Sequence, residues 1–147
     1  MKTVIVYASR HHGNTKKLVE AIAKAHAVDV IDADLQQTAD LKNYDRIGFA
    51  SGVAFGEYYP PLLTFMEKNL PAGREVFFLH TAGDPREKHN AAAKNLAEEK
   101  DCTILGTYCC KGYDTFGLFK LIGGINKRHP KPDEIAAAVR FFETLGR

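Results

Sequence analysis

At 147 residues, 45% of them hydrophobic and 26% charged, the chain has the length of one average domain and enough apolar material for a sizeable core, so a single domain over 1–147 is expected. Twenty Lys and Arg against eighteen Asp and Glu leave a net charge of +2, too slight an excess to make nucleic acid the main partner. No apolar stretch is long enough to cross a membrane, and Val4 to Ala8 is a strand-length run followed by polar residues rather than a signal peptide; Cys102, Cys109 and Cys110 form no C-x-x-C pair, and their odd number suits a reducing compartment, which points to the cytoplasm.

Thr3 to Ala8 is a β-rich apolar run, and Thr15 to His26 places Leu18, Val19 and Ile22 on one helical face. A short strand near Val28 to Ile31, a weak helix near Leu35 to Lys42 and a strand at Ile47 to Ala50 continue the alternation. Pro60 and Pro61 suit the first turn of a helix that carries Leu62, Phe65 and Met66. Glu75 to His80 is the fourth strand. Asp84 then fits a helix cap, with Pro85 at the first helical position and Glu87 closing a capping box. Cys102 to Cys110 is the fifth strand. After an irregular segment, Lys131-Pro132-Asp133-Glu134 opens a last helix that turns Ile135, Val139 and Phe142 inward.

Five short apolar strands alternating with helices predict a parallel sheet covered on both faces, since right-handed crossovers place helices above and below it. The expected fold class is α/β, a three-layer α/β/α sandwich. Ligands of such sheets sit beyond the carboxyl ends of the strands, where the strand order reverses. Three loops therefore matter: Ser9-Arg10-His11-His12-Gly13-Asn14-Thr15, Ser51-Gly52-Val53-Ala54-Phe55-Gly56, and Thr81-Ala82-Gly83.

The first of these joins a strand to a helix N-terminus, where backbone N–H groups and the helix dipole attract an anion. Ser9 and Thr15 add hydroxyls and Asn14 an amide, while Gly13 lets the backbone close around a guest. Arg10, His11 and His12 add positive or potentially positive charge with no acid in the loop to oppose them. A phosphate monoester fits this donor set. The simpler alternative, in which Ser9 and Thr15 cap the helix and the histidines are solvated, uses the same residues. The loop lacks the G-x-x-x-x-G-K-[ST] pattern of a nucleotide P-loop. A phosphatase of this architecture would need a cysteine here, and a receiver domain would need carboxylates where Ser9 and Ser51 stand. His80 reads as a packing or hydrogen-bonding residue, Cys109 and Cys110 as buried and inert, and the scattered histidines His26, His89 and His129 as no metal site. No catalytic nucleophile is expected.

Taken together, these segments resemble the flavodoxins, in particular those whose phosphate loop contains His-His-Gly-Asn-Thr. The resemblance covers nearly the whole chain and rests on three anchors. They are Ser9 to Thr15, Ser51 to Gly56, and the late run Lys111-Gly112-Tyr113-Asp114-Thr115-Phe116-Gly117, which continues through Phe119 to Ile125 and His129-Pro130. It implies a five-stranded flavodoxin-like sheet with non-covalently bound FMN. The first loop would hold the FMN phosphate, and Ser51 to Gly56 with Thr81 to Gly83 would grip the isoalloxazine ring. Gly52 and Gly56 become candidates for a redox-linked peptide flip. Phe55, Tyr58 and Tyr59 become candidates to stack on the ring, although the two tyrosines could equally pack against the helix that starts at Pro60.

Two departures stand out. The chain has no tryptophan, where many flavodoxins stack one on the flavin, and it is slightly basic where they are acidic, so the usual acidic docking surface is not expected. The resemblance implies an electron-transfer flavoprotein whose partners are a reductase and an acceptor protein. The alternative is a small FMN-dependent reductase acting on a quinone-like substrate. No G-x-G-x-x-G nicotinamide fingerprint follows a strand.

Overall fold

The structure is a computed structural model that describes residues 1–10, 13–113 and 128–146. Strands β1 (Thr3–Ala8), β2 (Asp29–Asp32), β3 (Arg46–Ala54), β5 (Glu75–Ala82) and β6 (Thr103–Lys111) run parallel in the order β2-β1-β3-β5-β6. A two-residue strand β4 (Glu57–Tyr58) folds back antiparallel on the end of β3. Helices α1 (Asn14–Ala25), α2 (Pro60–Asn69), α3 (Ala91–Glu99) and α4 (Pro132–Thr144) complete the chain. The expected parallel sheet flanked by helices is the architecture observed.

Side-chain alternation along the central strands sorts the core into two layers. Val4 and Val6 of β1, Phe49 of β3 and Phe78 of β5 pack with Leu62 and Phe65 of α2 and Ala93 of α3 on one face. Ile5, Tyr7, Phe77 and Leu79 pack on the other face with Val19 and Ile22 of α1 and with Val139 and Phe142 of α4. Burial on both faces is why these strands read as continuous apolar runs. One close fit crosses the sheet's strands: Gly48 lies opposite Phe77, and a Cβ on Gly48 would come within 2.3 Å of the Phe77 ring. The ring fills that gap and meets Phe142 edge-on at 5.7 Å.

Two expected helical segments take other forms. Residues 35–42 are irregular, because carboxylates capture the backbone locally. Asp32 accepts from the Asp34 N–H at 2.9 Å and Asp40 from the Lys42 N–H at 3.0 Å, turns that compete with a helix ladder. Asn69 of α2 then serves this segment directly, accepting the Ala39 N–H and donating to the Gln37 carbonyl. Nor does a helix start at Pro85. Asp84 forms an ion pair with Arg86 at 2.9 Å instead of a capping box, Arg86 is extended, a 3-10 turn covers Glu87–Asn90, and α3 begins only at Ala91.

The far end of α2 is closed by a residue from α3's end. Lys100 Nζ donates to the carbonyls of Met66, Glu67 and Leu70 at 3.1, 2.8 and 2.9 Å, so all three ammonium protons meet the helix C-terminus, where positive charge is favoured. Replacing it by Lys100→Met keeps the aliphatic stem and removes the charge-assisted bonds. The variant is expected to be less stable by roughly 2 kcal/mol, seen as a lower urea midpoint with an unchanged m-value.

Candidate functional site

The strand order reverses between β1 and β3, and the connections that leave their carboxyl ends go to opposite sides of the sheet, which opens a crevice there. A small polar cleft fills it, with Arg10, Asn14, Gly52, Tyr59, Thr81 and Gly83 in its walls. It is continuous with a wider cleft of about 560 Å³ between the β3–β4 hairpin and the segment after β5; Val53, Ala82 and Gly83 line both.

From the first loop, Gly13 adopts a left-handed backbone, φ 65°, at the N-cap of α1, with open space where a Cβ would stand. This brings the first turn of α1 to the mouth of the cleft. Ser9 Oγ accepts the Lys16 N–H at 3.1 Å, so this hydroxyl does cap the helix. Thr15 is buried and its Oγ1 lies 2.8 Å from Thr81 Oγ1, which links the first and third loops. Asn14 Nδ2 donates to the Tyr113 carbonyl at 2.7 Å, while its buried Oδ1 has no hydrogen-bond partner among the described residues. An orphaned buried acceptor is costly, and Asn14, the residue that carries it, lines the cleft. Arg10 departs from the sequence reading: Asp34, distant in sequence, opposes its charge at 2.9 Å, and its guanidinium lies 5.4 Å from the Tyr59 ring centre. His11 and His12 lie outside the described residues, as do residues 114–127 of the late run.

In the second segment, Ser51 to Ala54 are strand rather than loop residues. Ser51 is fully buried beneath the cleft, donating to the Gly52 carbonyl at 2.6 Å and accepting the Tyr59 N–H at 3.0 Å. Gly52 leaves room for Tyr59, whose hydroxyl would be 2.5 Å from a Cβ there. Val53 and Ala54 pair with Tyr58 and Glu57, and Phe55 and Gly56 form the two-residue turn, both with positive φ, 54° and 77°. Such a turn matches the strand twist, but the left-handed backbone costs a residue with a Cβ roughly 1–2 kcal/mol. Phe55 is 88% exposed, whereas Tyr58 and Tyr59 are 1% and 5% exposed. The tyrosines are therefore packing residues, and Phe55 is the aromatic that the hairpin presents to the wider cleft. Thr81 and Ala82 end β5, and Gly83 follows it.

Buried groups brace this framework. Tyr58 donates its hydroxyl proton to His80 Nδ1 at 2.8 Å, and His80 Nε2 donates to the Arg86 carbonyl at 2.7 Å. These partners require the neutral Nε2–H tautomer. Burial pushes the His80 imidazole down to about 4, the Arg86 bond offsetting part of the effect and His89 adding to it. Burial also holds Cys110 up to about 12 and raises Cys109, so both remain unreactive thiols. At the other side of the site, Glu134 loses solvation but gains the Lys131 N–H, His129 and the Lys111 N–H, and its carboxyl ends below its ordinary value. The Tyr113 N–H donates to the His129 carbonyl at 3.0 Å. Thus Gly112 and Tyr113, the latter held also by Asn14, were brought to the cleft from far along the chain. Asp34 and His89 came likewise; Gly112 and Tyr113 stand in the late run that carries the resemblance, whereas no local motif marks Asp34 or His89.

An open parallel sheet with a polar cleft at its switch point defines a doubly wound α/β protein, and solved structures share the arrangement. A flavodoxin from the domain Archaea superposes with a TM-score of 0.68 at 20% identity, over 100% of both chains. A flavoprotein from Lactobacillus acidophilus NCFM, solved in complex with FMN, does so with a TM-score of 0.58 at 21% identity, over 74% of this chain and 92% of that one. At the level of sequence, the Flavodoxin domain family matches residues 4–120. An uncharacterized protein of Methanocaldococcus jannaschii is 37% identical over 147 residues, spanning 99% of this chain and 98% of its own. The chain belongs to the flavodoxin family.

The brace has a pH signature. Because the folded His80 titrates near 4 against an ordinary 6.5, the unfolded chain binds the proton first as the pH falls, and stability drops across that window. Glu134, lowered from 4.5, keeps its contribution above that value and loses it only further down. Urea unfolding is expected to show a loss on the order of 3 kcal/mol as the pH falls through the His80 window, and a clearly shallower loss in His80→Gln.

Proposed function

We propose that the chain binds FMN non-covalently at the crevice between β1 and β3 and passes electrons through it, docking in turn to a reductase and an acceptor protein. The observation that carries this reading is the convergence on one cleft of Arg10, of Asn14 in the first turn of α1, and of Gly52, Thr81 and Gly83 from the ends of β3 and β5. These suit a phosphate and a hydroxylated chain. Ser9, Arg10, His11, His12, Gly13, Asn14 and Thr15 would form the phosphate side. Gly52 to Gly56 and Thr81 to Gly83 would form the ring side, with Ser51 supporting them from below. Family membership and the FMN-bound Lactobacillus flavoprotein of like fold support the choice of cofactor. When bound, FMN supplies one- and two-electron chemistry. The chain's own residues bind and orient it, and the exposed Phe55 is placed to cover the ring.

The wider cleft of about 560 Å³ beside the hairpin favours a second reading, a small FMN-dependent reductase with room for a quinone-like substrate. Steady-state turnover of a quinone with a nicotinamide donor, absent in a pure carrier, separates the two.

Titration of the apoprotein with FMN and with riboflavin, followed by flavin fluorescence, tests the ligand. Losing two charge-assisted phosphate bonds, at about 1.5–3 kcal/mol each, should weaken riboflavin by at least about a hundredfold. Comparable dissociation constants would overturn the assignment.

A further inference from the structure

His89 lies between the two segments that flank the wider cleft. Its Nδ1 is 3.1 Å from the Gly56 carbonyl oxygen at the hairpin tip, and its Nε2 is 3.1 Å from the Asp84 carbonyl oxygen after β5. Both neighbours are acceptors only. A neutral imidazole has one N–H and would set its other lone pair against a carbonyl lone pair, whereas the imidazolium donates to both. We propose that His89 is a positioning residue for the flavin site, a strap that ties the β3–β4 hairpin tip to the Gly83–Asn90 segment and closes fully only when the ring carries two N–H groups. The proposal rests on the flavin reading above and adds to it a proton-dependent site shape.

What the strap holds is a tip under strain. Phe55 and Gly56 are both left-handed, and their turn is flanked by only two ladder pairs, Val53 with Tyr58 and Ala54 with Glu57. The His89 bond fixes the peptide joining Gly56 to Glu57, and with it the direction of the Phe55 side chain over the cleft. The fixed partner on the other side, the Asp84 carbonyl, belongs to a segment already anchored through Arg86 and His80.

The charged surroundings are mixed. Glu57 of β4 adjoins the Gly56 carbonyl, and Asp84 is paired with Arg86 at 2.9 Å. Glu87 and Lys88 flank the ring on its own 3-10 turn. From β5, the His80 ring stands edge-on at 5.8 Å and stays neutral, its imidazole pushed down to about 4 by burial. From β6, burial keeps the Cys109 thiol protonated.

Two measurements decide it. In the apoprotein, histidine-ring 15N spectra between about pH 5 and 8 are expected to show His89 passing from two ring N–H groups to one. The Glu57 amide, which shares its peptide with the Gly56 carbonyl, should shift with the same midpoint. In His89→Gln, which keeps an N–H donor but cannot take the charge, that amide should not move. In FMN titrations, the wild-type chain is expected to bind about tenfold more tightly than His89→Gln near pH 5.5 and within about threefold of it near pH 8. Taking the ratio cancels the titrations of the other histidines and of the phosphate. A Glu57 amide indifferent to His89, or an affinity ratio independent of pH, would overturn the strap. Failure of the apoprotein to bind FMN at either pH would overturn the flavin reading, and the ring spectra would still decide the strap.

Discussion

The reversal of strand order between β1 and β3 is the constraint on which the rest of the molecule depends. Right-handed crossovers send α1 to one face of the sheet and α2 to the other, so two neighbouring strands end without a connection lying across both. Neither helix covers the gap, yet the backbone groups around it must still find partners. The chain meets this need with short-range devices: the Ser9 cap, the Thr15–Thr81 hydroxyl pair and the Ser51 bonds beneath the crevice. The polar residues that line the crevice, Arg10, Asn14 and Thr81 among them, give it its chemical character. The site is thus a by-product of topology, completed by a few polar side chains.

How much of this could be read from the sequence follows from where the determining contacts lie. The central strands β1, β3 and β5 were legible because double-sided burial writes itself as uninterrupted apolar residues, and α1, α2 and α4 because their inward faces repeat at helical spacing. Residues 35–42 carry enough helix formers to suggest a helix, but Asp32 and Asp40 turn the backbone, and Asn69, far along the chain, rewards the irregular path. The capping pattern at Asp84 misleads for a similar reason: His80 holds the Arg86 carbonyl and so keeps that residue extended. The hairpin β4 escaped notice because Phe55, unlike the usual Asn or Gly, does not advertise a two-residue turn.

The candidate site shows the same division. Asn14 lines the cleft, with Gly13 before it and Thr15 bonded to Thr81 behind it, because a strand–loop–helix junction is local and its chemistry is spelled out in order. The electrostatics of that loop were not legible. Arg10 looks unopposed along the chain, yet Asp34 meets it across the β1–β2 end of the sheet, so the loop's excess positive charge is smaller than its composition suggests. Likewise, Ser51 was indistinguishable from a ligand donor until the fold turned it toward Tyr59. Tyr58 and Tyr59 could have faced either way, and the core claimed both.

The fit of Phe77 into the space above Gly48 carries a lesson about how such a sheet can drift over evolutionary time. A methyl group at position 48 is blocked for as long as a ring occupies position 77, whereas shrinking the ring first leaves only a void. The order of events is therefore fixed: position 77 must change before position 48 can. The pair is expected to travel together among descendants of this chain, a ratchet imposed by volume on residues that neither bind anything nor touch the cleft.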